Sequence, residues 1–86
     1  MRVVYSKVAV KAINSFDKSI KQRIKTGIEG LLEVPPKGDI KQMQGIKPSV
    51  LRLRIGKYRV LYEYTNLNDH EVLMIKDIGS RGDIYK

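Results

Sequence analysis

Leu51-Arg52-Leu53-Arg54-Ile55-Gly56-Lys57-Tyr58-Arg59-Val60-Leu61-Tyr62-Glu63 is the stretch that decides the fold. It reads as two strands joined by a Gly-Lys turn, a β-hairpin in which Ile55 opposes Tyr58, Arg54 opposes Arg59 and Leu53 opposes Val60. Side chains alternate between the faces of a strand, so Leu51, Leu53, Ile55, Tyr58, Val60 and Tyr62 share one face. Arg52, Arg54 and Arg59 share the other. An apolar face of that size needs a cover, and the sequence on its N-terminal side supplies it.

Upstream, Arg2 to Tyr5 is a short β-branched and aromatic run, read as a strand, and Ser6 is placed to cap a helix. Val8, Ala9, Ala12, Ile13 and Phe16 follow at helical spacing. Asp17 opens a second helix whose stripe is Ile20, Ile24, Ile28, Leu31 and Leu32, and Pro35-Pro36 ends it. Gly27 and Gly30 imply either close packing of that helix or fraying of its last turns. Lys37 to Ser49 reads as a loop. Downstream, Glu71 to Ile78 reads as a further strand after a turn at Asn66 to Asp69. The order β-α-α-β-β-β predicts an α+β fold: an N-terminal helical hairpin packed on an antiparallel β-sheet, one domain spanning residues 1–86.

The chain has 86 residues with a formal net charge of +8, so a polyanionic or acidic partner is expected. Phe16 is the one aromatic in the helices, which argues against a membrane-surface role. No apolar run approaches the roughly 20 residues of a membrane span, and Met1 to Lys7 lacks the pattern of a signal peptide, so a cytoplasmic location is expected. There is no cysteine and a single histidine, His70, beside a turn. A metal site is not expected, and without a phosphate-binding glycine motif neither is a small-molecule cofactor.

The arginine face carries the functional inference. If the turn at Asn66 to Asp69 is symmetrical, Arg59 also faces Lys76. Like charges opposed across a sheet destabilise it, so the cluster costs stability unless a polyanion neutralises it. Glu63 is the one acidic residue that this register puts on the same face. A solvated, self-neutralised face is the competing reading. Guanidinium groups, however, grip phosphate oxygens through paired hydrogen bonds, which favours RNA. Lys47 and Lys57 add charge around the same surface. At the C-terminus, Arg81 and Tyr85 fall within one short turn, where an aromatic can stack on a base.

The run from Leu51 to Glu63 resembles the signature of the RelE/ParE toxin superfamily. Ile78-Gly79-Ser80-Arg81-Gly82-Asp83-Ile84-Tyr85 is similar to that family's ending. The resemblance implies a fold of the microbial ribonuclease type and the toxin half of a toxin–antitoxin pair, held by a small acidic antitoxin. In the RelE branch the implied activity is ribosome-dependent mRNA cleavage; in the ParE branch it is inhibition of DNA gyrase. Carried over by position, Arg59 holds the scissile phosphate, Arg81 is the general acid or charge stabiliser, and Tyr85 stacks on the nucleotide. Arg52 and Val50 fall where RelE-like members have lysines, and Ser80 replaces a histidine. An arginine is a poor base near pH 7, which leaves Lys47, Lys57 or Lys76 as candidates.

Overall fold

The computed structural model describes residues 1–42 and 50–80. Strand β1 (Arg2–Tyr5) runs into helix α1 (Lys7–Asn14), which is followed by α2 (Lys18–Gly30), β2 (Asp39–Gln42), β3 (Leu51–Ile55), β4 (Tyr58–Leu67) and β5 (His70–Ser80). The strands form one sheet in the order β1-β5-β4-β3-β2. The expected α+β class holds, with the helical hairpin on one face of the sheet. Strands β2 to β5 pair antiparallel, whereas β1 joins β5 in parallel and makes the sheet mixed.

Both helices start where the sequence put their caps. The Ser6 hydroxyl accepts from the amide of Ala9 at 3.1 Å, and the Asp17 carboxylate accepts from that of Ile20 at 3.0 Å. Each bond satisfies an amide that the first turn leaves without a helical partner. Ala9 and Ile13 of α1 and Ile24 and Ile28 of α2 are buried against Leu53, Val60, Tyr62, Leu73 and Ile75. Two stripe assignments differ. Val8 is 57% exposed, because the turn of α1 aims Ala9 and Ile13 at the sheet. Leu32 lies past the end of α2 and is also exposed, while Leu31 is buried and its carbonyl accepts from the Tyr64 hydroxyl at 2.8 Å.

Gly27 resolves the choice between packing and fraying. A Cβ there would come within 2.5 Å of Ile55 Cδ1, so α2 sits against β3 at a distance that glycine permits. The stretch from Lys37 to Ser49 is not wholly a loop, since Asp39–Gln42 pairs with β3 as the edge of the sheet. Residues 43–49 lie outside the described region, and with them Lys47.

The β3–β4 register agrees with the sequence at each expected pair, including Arg54 opposite Arg59. The β4–β5 register does not. Asn68 and Asp69 both take positive φ (52° and 65°) and make a two-residue turn in place of the four-residue one. A register irregularity between Leu61 and Tyr62 then shifts the pairing by one. Arg59 consequently faces Gly79, and Lys76 lies further along the strand.

Candidate nucleic-acid interface

The sheet face away from the helices is where the cationic side chains gather, because the helix-side positions of β3 and β4 are taken by the core. Arg59 is the deepest of them, 4% exposed. Its Nη1 donates to the carbonyls of Tyr58 and Gly56 at 3.3 and 3.4 Å, and its Nε is buried with no partner among the described residues. Arg54, directly across the ladder, sends its own Nε to the same Gly56 carbonyl at 3.4 Å. The positive φ of Gly56 (59°) turns that carbonyl toward the arginine pair. Two guanidinium groups thus converge on one neutral oxygen, and among the described residues no carboxylate pairs with either. A buried cation held only by long carbonyl contacts keeps much of its capacity for an anion.

Arg52 is held differently. Its Nη2 meets Asp39 Oδ1 at 3.2 Å, while its buried Nε has no partner among the described residues. The sequence reading gave Glu63 as the one carboxylate on this face; β2 contributes Asp39 as a second. The Glu63 carboxylate stands 3.7 Å from Lys76 Nζ. Lys57 is exposed in the β3–β4 turn, with its ammonium 5.5 Å from the centroid of the Tyr58 ring. His70 is exposed at the start of β5, well along the sheet from the Gly56 turn. The structure therefore brings Arg52, Arg54 and Arg59 together, turns the exposed Lys57 over the ring of Tyr58 on the helix side and places Lys76 beside Glu63. Arg81 and Tyr85, like Lys47, lie outside the described residues.

Val50 lies on the arginine side of β3 by alternation and is 2% exposed. A lysine grafted there would have to bury its ammonium, which costs several kcal/mol unless a partner is supplied. The position is buried, as is Leu61 on the same face of β4 by alternation, and is no open place for a base.

A family model described as the ParE toxin of the type II toxin–antitoxin system, parDE, matches residues 3–85. The chain belongs to this toxin family. The toxin also resembles a chain of the RelB–RelE antitoxin–toxin complex from Methanococcus jannaschii, at 27% identity over 95% of this chain and 94% of that one, with a TM-score of 0.70. A chain of the archaeal RelE–RelB complex from Pyrococcus horikoshii OT3 is 32% identical over 95% and 96%, with a TM-score of 0.69. The YoeB/ParE toxin from Agrobacterium tumefaciens shares the fold at 15% identity, covering 94% of this chain and 99% of that one, TM-score 0.78. No curated protein sequence matches. The toxin is thereby placed in the RelE/ParE superfamily, as the motifs around Arg59 implied.

Proposed function

We propose that this toxin is an mRNA endoribonuclease that acts on the ribosome and stops translation. The observation that carries the reading is the Arg54–Arg59 pair, converging on Gly56 without a carboxylate among the described residues. Such a pair is suited to a phosphodiester, whose non-bridging oxygens accept parallel guanidinium hydrogen bonds. A protein that acts only by docking on another protein has no need to hold a buried guanidinium unpaired, since an interface charge left so costs stability. The similarity to chains of two archaeal RelE–RelB complexes supports the same reading.

In the proposed reaction the ribose 2′-oxygen attacks the adjacent phosphorus, losing its proton to a base. The bond from phosphorus to the 5′-oxygen breaks, and that oxygen takes up a proton. The products are a 2′,3′-cyclic phosphate and a 5′-hydroxyl. Arg59 holds the phosphate and stabilises the charge that grows on its oxygens, with Arg54 and Arg52 beside it. Arg81 protonates or stabilises the leaving oxygen, and Tyr85 stacks on the base, roles that rest on the family resemblance. Lys57 and Lys47 guide the strand by charge. The partner that silences the toxin is an acidic antitoxin, matched to a net charge of +8.

The family match itself favours a second reading, inhibition of DNA gyrase. Incubating purified toxin with translating ribosomes and mapping the mRNA ends separates the two. Cut messages carrying 2′,3′-cyclic phosphates, produced by the native protein but not by Arg59→Ala, support the nuclease. Intact messages under conditions where the toxin blocks gyrase supercoiling rule it out.

A further inference from the structure

Strand β5 has to serve two faces, and a single extra residue lets it do so. Ile75 and Ile78 both enter the helix-side core. They are three positions apart, and simple alternation would put them on opposite faces. The ladder resolves this with a bulge: Tyr62 faces Ile75 and Leu61 faces Asp77, which leaves Lys76 without an opposing residue. The bulge is fastened from the N-terminal side. The Ser6 amide donates to the Ile75 carbonyl at 2.9 Å, and the Ser6 hydroxyl donates to the Lys76 carbonyl at 2.8 Å. The same hydroxyl caps α1, so the start of the helix and the bulge share one anchor.

The side chain of Lys76 meets Glu63, which alternation along β4 puts on the face of Arg59. Glu63 is the less exposed partner, at 16% against 36% for Lys76. Their separation of 3.7 Å is too long for the direct charge-assisted bond of about 2.7–2.9 Å. The ammonium is therefore aimed at the cationic face but only loosely held, by a carboxylate that an anion of better geometry can displace.

We propose that Lys76 is a phosphate-binding residue delivered by the bulge, and that Glu63 is its built-in competitor, which sets how tightly the face holds RNA. In the free toxin Glu63 offsets the charge of Lys76. When a strand lies across Arg59 and Arg52, a neighbouring phosphate takes the ammonium from Glu63. The inference rests on the RNA reading above, and its effect is on affinity.

The test is the affinity of the full chain for a short single-stranded RNA, 2′-O-methylated throughout so that it cannot be cut, followed over a range of salt concentrations. Lys76→Met should weaken binding and flatten the slope of log affinity against log salt by about 0.7, one phosphate contact on a single strand. Glu63→Gln should tighten binding about two- to fivefold, the scale of one partly exposed charge pair. In the Lys76→Met background that gain should shrink by the share that Lys76 carries. An equal gain in both backgrounds would reduce Glu63 to a contribution to net charge and overturn the proposal. So would an unchanged salt slope in Lys76→Met. Lys76→Gln, together with thermal unfolding of every variant, separates loss of contact from loss of fold. Arg59→Ala tells the two failures apart: RNA binding indifferent to Arg59 removes the RNA reading, whereas binding that needs Arg59 but not Lys76 removes only this one.

Discussion

Arg59 combines two properties that seldom meet in one side chain: it is buried, and among the described residues its charge is answered only by carbonyl oxygens. Its neighbour across the ladder is another arginine. Replacing it with alanine removes a like-charge contact and a buried donor without a partner, and leaves a cavity in exchange. These opposing effects should nearly cancel, so Arg59→Ala should unfold within about 1 kcal/mol of the native protein in denaturant titrations. In growth assays the same variant should be harmless to cells; a folded Arg59→Ala that still kills removes the site. That Arg52, Arg54 and Arg59 share a face was legible in the sequence, because the two-residue period of a strand is fixed by its backbone. That Arg59 is buried was not, since it depends on the side chains packed around it on that face, nor was the pairing of Arg52 with Asp39, which depends on β2 lying beside β3.

At the scale of elements, what escaped the sequence reading are an edge and a bulge. Asp39–Gln42 has one apolar residue, Ile40, and otherwise the polar composition of a loop. Edge strands commonly look so, because charge on an open edge discourages pairing with other chains. The bulge at Lys76 was hidden for another reason. Ile75 and Ile78 are both buried in the core, but simple alternation along a strand places residues three apart on opposite faces and gives no sign of the extra residue that reconciles them. The helix starts at Ser6 and Asp17, by contrast, follow from local hydrogen-bonding chemistry and were readable. Ser6 gives the element-scale prediction. Ser6→Ala loses an N-cap and the clasp on the bulge together, so it should cost about 1–2 kcal/mol in urea unfolding, the upper range of a cap deletion. Ser6→Thr keeps the hydroxyl and should recover most of the loss.

Across the whole molecule, the core has an alkaline weakness. Burial raises the Tyr62 phenol well above the ordinary tyrosine value, with Tyr64 adding to the shift. Tyr5 and Tyr64 are also raised, by burial first and then by Glu29 and Glu71 respectively. Above the ordinary value of 10.0 the unfolded chain gives up phenolic protons that the folded protein keeps. With fewer protons on the unfolded state, stability falls as pH rises. The contribution is complete below pH 10 and is lost as the pH climbs toward the folded-state values. Thermal unfolding should therefore shift to lower temperature above pH 10, and less so in Tyr62→Phe, which cannot ionise there. Equal alkaline losses in both proteins would show that another group is responsible.

The charge of +8, the Arg54–Arg59 pair that meets no carboxylate among the described residues, and the superfamily fold are the observations behind the proposal that the cationic sheet face is the toxin's working surface. The most direct measurement of the central claim is the order in which synthesis stops after the toxin is induced in growing cells, followed by pulses of labelled amino acid and labelled thymidine. The nuclease account predicts that amino-acid incorporation collapses first, with mRNA cut inside coding regions, and that Arg59→Ala abolishes both effects. Thymidine incorporation failing first, with broken DNA and continued translation, would contradict it.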